Sequence, residues 1–106
     1  MAKELHKVAK TFDVKPGMFK VVQVEKEEIV LCNVDGDFFA IDDICTHDGG
    51  SLHQGCLSGD IIECPRHGAR FNIRTGQVVE LPALYPIATY EVKIQGDDIL
   101  VAVDSA

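Results

Sequence analysis

A β-hairpin is predicted by residues 29–41, which read IVLCNVDGDFFAI. Residues 29–34 are rich in strand-forming side chains. The Asp35-Gly36 pair that follows is a strong two-residue hairpin signal, and residues 38–41 return as the partner strand. The polar residues 25–28 that precede the hairpin predict a solvated turn.

Further short strands are predicted on both sides of this hairpin. Residues 18–24 are rich in strand formers, and a short strand at 61–63 ends at Cys64-Pro65. Residues 71–73 and 77–79 flank Arg74-Thr75-Gly76 and predict another hairpin. Glycine or proline interrupts the chain at short intervals, and no long segment keeps a helical period.

Two alternating strands close the predicted framework near the C-terminus. Side chains alternate between the two faces of a strand. Tyr90, Val92 and Ile94 are therefore expected on one face of the first strand. Ile99, Val101 and Val103 are expected on the inner face of the second strand. Many short strands with regular turn signals favour an all-β fold, a small antiparallel β-sandwich or an open barrel.

A glycine-rich insertion, residues 43–82, interrupts this framework. It holds three of the four cysteines and three of the four histidines. A cluster of cysteine and histidine in a reducing compartment indicates metal binding or catalysis before it indicates disulfides. The insertion is therefore where function is expected.

Composition excludes several classes of protein. The chain has 106 residues, and domains typically hold roughly 100–150, so one domain spanning 1–106 is expected. The net charge of −7 disfavours nucleic acid and anionic membranes as partners. Mean hydropathy is +0.07, and no apolar run is long enough to span a membrane. The charged N-terminus lacks the apolar run of a secretory signal. A cytoplasmic protein with reduced thiols is expected.

The pattern C-x-H-x16-C-P-x-H pairs one thiolate donor with one imidazole donor in each half. The first half is Cys45-Thr46-His47 and the second is Cys64-Pro65-Arg66-His67. In an extended segment, positions two apart point to the same side, and Pro65 suits a turn that brings Cys64 and His67 together. Structural zinc sites usually have unmixed halves with wider spacing. The mixed halves suit two metal atoms better, although zinc remains an alternative.

The chain resembles the Rieske-type [2Fe–2S] ferredoxins of bacterial aromatic-ring-hydroxylating dioxygenase systems. The resemblance extends from about residue 14 to residue 103. It rests on the paired half-motifs and on three shorter matches, which are Asp35-Gly36 before Phe38-Phe39-Ala40, Gly59-Asp60, and Phe71-Asn72 before Arg74-Thr75-Gly76.

The resemblance implies the fold, the cofactor and its ligands. Cys45 and Cys64 would bind one iron of the cluster, and His47 and His67 would bind the other. The framework would be a β-sandwich with two loops gripping the cluster at one tip. Pro82-Ala83 would belong to a third loop covering the cluster, and the glycines beside the ligands would let backbone N–H groups approach its sulfurs.

Departures from the respiratory branch of the family imply a lower reduction potential. The cysteines that form a disulfide between the loops in that branch are replaced by Gly50 and Arg66. Ala69 and Phe71 stand where that branch places a serine and a tyrosine that donate hydrogen bonds. Rieske potentials span about −150 to +300 mV, against about −400 mV for plant-type ferredoxins. The resemblance therefore implies a potential near the low end of the Rieske range.

The resemblance also implies a function and partners. The chain would carry single electrons from an NAD(P)H-dependent flavin reductase to a terminal dioxygenase, as a monomer without a substrate site of its own. The small subunit of an assimilatory nitrite reductase is the alternative with the same fold. The sequence does not identify the substrate of the oxygenase.

Several remaining side chains allow more than one interpretation. His53-Gln54-Gly55-Cys56 is a competing H-x-x-C half-site by spacing alone. Cys32 lies mid-strand, where a buried thiol is the default, Cys56 is expected to be a packing or loop thiol, and His6 a surface residue. Arg66 and Arg70 are either plain surface cations or contacts for an acidic partner.

Overall fold

The computed structural model describes residues 3–46, 48–66, 68–81 and 83–104. Two short 3-10 helices occur at Thr11–Asp13 and Leu52–Gln54. The strands are β1 (Lys3–Lys10), β2 (Phe19–Val24), β3 (Glu27–Val34), β4 (Asp37–Asp42), β5 (Cys56–Ser58), β6 (Ile61–Glu63), β7 (Arg70–Asn72), β8 (Val78–Glu80), β9 (Thr89–Tyr90), β10 (Val92–Gln95) and β11 (Asp98–Asp104).

The strands form three antiparallel sheets. The outer sheet has the order β1-β11-β10, the central sheet β2-β3-β4-β9, and the insertion sheet β5-β6-β7-β8. The insertion sheet lies wholly within residues 43–82, so the predicted insertion has a sheet of its own. The predicted all-β antiparallel fold is confirmed.

The central sheet is covered on both faces, which explains the unbroken apolar run of β3. Ile29 and Leu31 pack with the outer sheet in one core. Val30 and Cys32 point the other way and pack in a second core with the insertion. Because successive side chains alternate between faces, a strand buried on both sides has to be apolar at nearly every position. The second core also holds both cysteines of the metal motif.

The central hairpin turns where the sequence predicts it. Asp35 has φ of 52° and Gly36 has φ of 96°, the left-handed conformations that such two-residue hairpin turns require. The Asn33 side chain accepts a hydrogen bond from the Gly36 N–H at 2.8 Å and donates one to the Val14 carbonyl at 2.7 Å. The oxygen and the nitrogen of the buried Asn33 side-chain amide thus both have hydrogen-bond partners.

Two expectations about strands need correction. The solvated turn predicted at residues 25–28 is limited to residues 25 and 26, because Glu27 and Glu28 already belong to β3. Tyr90, Val92 and Ile94 do not share one strand, since the chain leaves the central sheet after β9 and joins the outer sheet at β10. Ile94 is exposed as a result, whereas Ile99, Val101 and Val103 are buried as predicted. β1 and β5 were not predicted, because their alternation of polar and apolar residues is weak. In the described part of the chain, no helix is long and apolar enough to cross a membrane.

Candidate metal centre

The two cysteines of the predicted motif meet in the core. The sulfurs of Cys45 and Cys64 and a carboxylate oxygen of Asp48 all lie within 4.8 Å of one another. Both cysteines are fully buried, and neither forms a disulfide. Two thiols so close together without a disulfide are a donor pair suited to a thiophilic metal.

The two loops that carry these cysteines share one backbone arrangement. We call residues 45–50 loop A and residues 64–69 loop B. In loop A, the Cys45 N–H donates to the Gly50 carbonyl at 2.8 Å, and the Gly49 N–H donates to the Cys45 carbonyl at 2.7 Å. In loop B, the N–H of Cys64 donates to the carbonyl five residues on at 2.8 Å, and the N–H four residues on donates back at 3.1 Å.

Glycine makes this shared arrangement possible. Gly49 has φ of 74° and Gly68 has φ of 76°, and each stands four residues after its cysteine. Only glycine adopts this left-handed conformation without cost. Their N–H groups, and that of Gly50, which donates to Asp48 Oδ1 at 2.9 Å, bond within their own loops. The expectation that glycines beside the ligands let backbone N–H groups approach the cluster sulfurs stays a prediction.

The loops differ in what closes them. Loop B connects β6 to β7, and these strands pair at Glu63 and Arg70, whose side chains also bond at 2.7 Å. A β-ladder therefore closes loop B directly. Loop A connects β4 to the second 3-10 helix, so no ladder closes it, and side chains hold it instead.

Asp43 closes the base of loop A. Its buried carboxylate accepts the His53 backbone N–H at 2.8 Å and contacts His53 Nδ1 at 2.6 Å. Burial opposes ionisation, but hydrogen bonds from Glu28 and His53 hold the pKa of Asp43 below its ordinary value. The same contact with Asp43 raises the pKa of the Glu28 carboxyl. The side chains of Glu28, Asp43 and His53 therefore form one cluster of contacts at the base of loop A.

Arg66 of loop B crosses to loop A. Its Nε donates to Asp48 Oδ2 at 2.5 Å, its Nη1 to Gln54 Oε1 at 3.1 Å and its Nη2 to the Ser51 carbonyl at 3.2 Å. The hydrogen bond from Arg66, helped by the N–H of Gly50, lowers the pKa of Asp48 to about 2. Asp48 is thus a carboxylate at neutral pH.

A third loop lies against loop A. Thr46 Oγ1 donates to the Tyr85 carbonyl at 2.6 Å. Ala83 is buried, while the side chains of Leu84 and Tyr85 are exposed. The predicted covering loop therefore reaches the metal site, although Pro82 itself lies outside the described residues.

His47 and His67, the predicted imidazole ligands, also lie outside the described residues. Their roles remain predictions. The described neighbours of each, Thr46 with Asp48 and Arg66 with Gly68, belong to the two loops that carry the cysteines.

The competing half-site is not assembled as a cysteine and histidine pair. In the described ranges, the donor groups that come together are Cys45 with Asp48 and Cys64, and Glu28 with Asp43 and His53. Cys56 instead lines a surface cavity of about 240 Å³ with Glu63 and Arg70. Cys32 is fully buried, and burial raises its pKa to about 12, so it is an inert core thiol.

Other expectations have mixed outcomes. Arg66 and Arg70 both bond carboxylates of this chain, which leaves neither as a plain solvated cation. His6 is only partly exposed and lies 3.8 Å from Glu25. No local sequence signal identifies Asp43 or Asp48 as part of the site. Their roles depend on partners ten or more residues away.

The donor chemistry fits a [2Fe–2S] cluster. Rieske clusters take two thiolates on one iron, and the structure provides two buried sulfurs on matching loops. Because each flanking carboxylate is bonded to Arg66 or His53, the thiols are the donors best placed for metal.

Comparisons with known proteins agree with this chemistry. The Rieske [2Fe-2S] domain profile matches residues 4–91. The biphenyl 2,3-dioxygenase ferredoxin component of Rhodococcus jostii is 42% identical over 97 residues, covering 92% of this chain and 91% of that protein.

Solved structures give the same result. The Sphingomonas yanoikuyae B1 ferredoxin superposes with a TM-score of 0.89 at 35% identity, covering 95% of this chain and all of that one. The ferredoxin complexed with the carbazole 1,9a-dioxygenase oxygenase superposes with a TM-score of 0.87 at 36% identity, covering 92% of each chain.

The nitrite reductase alternative has weaker support. A small-subunit protein of an NADPH nitrite reductase superposes with a TM-score of 0.78 but is only 18% identical, covering 92% of this chain and 97% of that one. At that identity it shares the fold alone. The predicted family and the predicted cofactor are confirmed: the chain belongs to the Rieske [2Fe–2S] domain family and is a ferredoxin of that family.

Proposed function

We propose that this chain is the one-electron carrier of a multicomponent aromatic-ring dioxygenase. Electrons would come from an NAD(P)H-dependent flavin reductase and pass to a terminal oxygenase. The observation that carries the proposal is the meeting of Cys45 and Cys64 on two loops of identical backbone pattern. Cys45 and Cys64 would hold one iron, and His47 and His67 the other.

The bound cluster supplies a site that gains and loses one electron at a time. The chain surrounds the two thiolates with apolar core, because Cys45 and Cys64 pack with Leu52 and Ile62. That packing excludes water from the sulfur side of the site. Ala69 and Phe71 are also fully buried, and neither side chain can donate a hydrogen bond. A potential near the low end of the Rieske range, about −150 mV, follows.

The surface near the site supports transient contact with partners. Leu84 and Tyr85 of the third loop are exposed beside loop A, where they are accessible to a docking partner. The net charge of −7 would attract a partner with a basic docking patch. The ferredoxin of carbazole 1,9a-dioxygenase forms a complex with its oxygenase. We infer that this chain acts as a single domain and a monomer in the cytoplasm.

The first experiment tests the cluster. Anaerobically purified protein is analysed for iron and acid-labile sulfide, and its EPR spectrum is recorded after reduction with dithionite. We expect equal iron and sulfide and the spectrum of a cluster with mixed sulfur and nitrogen ligands. A colourless zinc protein, or the spectrum of a four-thiolate cluster, would overturn the proposal.

The ligand assignment is tested by replacing the predicted imidazoles. His47→Cys or His67→Cys should lower the reduction potential, because a thiolate adds negative charge that a neutral imidazole lacks. Cys56→Ser is the matched control, since Cys56 lies on β5 and lines the surface cavity. Unchanged potentials in both histidine variants would contradict histidine ligation.

The partners are tested by electron flow. NADH and a dioxygenase-type flavin reductase should reduce the protein, and addition of the reduced protein to a dioxygenase should reoxidise it with substrate turnover. Stable co-purification with a large haem-containing chain, without reduction by the flavoprotein, would favour the nitrite reductase alternative.

A further inference from the structure

We propose that Arg66 is a positioning residue that braces loop A against loop B and so retains the cluster. The inference rests on the proposed function, because it takes these loops as the two that hold the iron. No disulfide joins the cysteines of the two loops, so their relative position depends on non-covalent contacts.

Among the described residues, the guanidinium of Arg66 has three acceptors, and all of them belong to the loop A side. They are the Asp48 carboxylate, the Ser51 carbonyl and the Gln54 side-chain oxygen. Arg66 itself stands two residues after Cys64. One side chain of loop B therefore holds loop A and the first residues after it by three hydrogen bonds, one of them charge-assisted.

Gly50 is fitted to this brace. A Cβ atom built on Gly50 would lie 2.5 Å from Arg66 Cζ and 2.6 Å from Nη2. The guanidinium plane therefore lies directly over the Gly50 backbone, in space that a side chain at residue 50 would fill. Asp48 is held for the same purpose, because its second oxygen accepts the Gly50 N–H at 2.9 Å. Three positions from two separate loops thus form one contact.

The ion pair between Arg66 and Asp48 also lies close to the cysteine sulfurs. An oxygen of Asp48 lies within 4.8 Å of both cysteine sulfurs, and Arg66 bonds that carboxylate. Loss of either partner leaves one charge beside the cluster. A negative charge there disfavours an added electron, and a positive charge favours it. Loss of the brace should therefore change the rate of cluster loss, whereas an unbalanced charge should change the reduction potential.

The test compares single variants in the cluster-loaded protein. Cluster loss is followed by visible absorbance during warming with a chelator, and the potential by a redox titration. Arg66→Gln and Asp48→Asn should each accelerate loss by about fivefold or more, the factor expected when one specific contact is lost. Their potentials should move in opposite directions, down for Arg66→Gln and up for Asp48→Asn. The double variant should lose the cluster no faster than Arg66→Gln alone, because the contact with Asp48 is already absent in that variant, and its potential should be close to wild type.

Two further variants separate bracing from charge. Gly50→Ala keeps both charges but displaces the guanidinium, so we expect faster loss with little change in potential. Arg66→Lys keeps the charge but cannot reach three acceptors at once, so its loss rate should fall between those of wild type and Arg66→Gln. Arg74→Gln is the matched control, because Arg74 also pairs with a carboxylate, Asp60 at 3.3 Å, and should change neither property.

The outcomes that contradict the brace are distinct from failure of the proposed function. A wild-type protein without the Rieske spectrum would overturn the ligand assignment. If wild type has that spectrum, loss rates for Arg66→Gln and Gly50→Ala within about twofold of Arg74→Gln would overturn the brace. Faster hydrogen exchange at the loop A amides in Arg66→Gln and Gly50→Ala, but not in Arg74→Gln, would support it independently of the cluster.

Discussion

Loop A and loop B have the same backbone and different supports. Each places a buried cysteine at its start and a left-handed glycine four residues later, with the same two hydrogen bonds between. Loop B is a hairpin turn closed by paired strands. Loop A is not closed by paired strands and is held instead by hydrogen bonds of the Asp43, Thr46 and Asp48 side chains.

The difference shows how one metal site can be built in two ways. A β-ladder needs no particular side chains to close a turn, because its hydrogen bonds come from the backbone. A loop without a ladder needs polar side chains with specific partners, and each such contact can be lost by one substitution. Loop A should therefore be the more sensitive to mutation, while the cysteines themselves should be equally indispensable.

The largest expected effect is common to both loops. Cys45→Ala and Cys64→Ala should each abolish cluster binding, because each removes one of two thiolates on the same iron. Iron content and the visible spectrum measure the loss. Cys56→Ser should keep full cluster content, since Cys56 is exposed on β5. A Cys45→Ala protein that retains a normal cluster would break the equivalence of the two loops.

Substitutions at the bases of the two loops should differ widely in their effect on the free energy of unfolding. Asp43→Ala removes the buried acceptor of two contacts with His53 and should lower the free energy of unfolding by about 1–3 kcal/mol. Glu63→Ala, next to Cys64, removes a pair between exposed groups and should change it far less, since exposed ion pairs are weak. Equilibrium denaturation of both variants makes the comparison.

The asymmetry has a clear contrary result. Equal destabilisation by Asp43→Ala and Glu63→Ala would mean that loop A does not depend on its side-chain support. His53→Ala is a useful companion, because it removes the ring contact but leaves the backbone N–H that Asp43 accepts. Its effect should lie between the other two.

Replacing the left-handed glycine of either loop should lower the free energy of unfolding by the same, smaller amount. Gly49→Ala and Gly68→Ala should each lower stability by about 1–2 kcal/mol, the cost of a left-handed alanine. In the part of the chain that the structure describes, no atom lies within 4 Å of a Cβ built at either position, so backbone strain sets the expected cost. Gly96→Ala, in the β10–β11 turn with φ of 62°, should cost the same in unfolding but should leave cluster retention unchanged. Unequal costs for Gly49→Ala and Gly68→Ala would break the structural match between the loops.

Loop B was more predictable from the sequence than loop A. The short strand at 61–63, the turn at Cys64-Pro65 and the hairpin at 71–79 are signalled by neighbouring residues, and the structure confirms them. The supports of loop A join residue 43 to 53, 48 to 66 and 46 to 85. No local propensity encodes such pairs, because they depend on how separate sheets meet.

The same reasoning explains the errors in the framework. The apolar run of β3 predicts a strand, but only the structure shows that it is buried on both faces. The switch from the central to the outer sheet between Tyr90 and Val92 leaves the alternation of side chains intact, so the sequence gives no sign of it. Local patterns identify strands, and long-range packing decides which sheet each one joins.

The smallest predicted effect concerns Glu28, which faces Asp43 and His53 at the base of loop A. The hydrogen bond with Asp43 raises the pKa of Glu28, so the folded protein binds a proton there more tightly than the unfolded chain. The stability that this proton provides is present in acid and is lost as the pH rises through the raised pKa. When Glu28 loses this proton, its negative charge repels that of the Asp43 carboxylate. Glu28→Gln should raise the denaturation midpoint at pH 7, because its amide can donate to the Asp43 carboxylate without a second negative charge, and the gain should shrink as the pH falls.

Asp37→Asn is the control, because it removes the same charge from an exposed position in the central hairpin. The difference in midpoint between Asp37→Asn and wild type should not shrink in this way as the pH falls. A Glu28→Gln protein that is less stable than wild type at pH 7 would mean that the contact of Glu28 with His53, at 3.7 Å, outweighs its repulsion from Asp43, and loop A would then depend on all three groups.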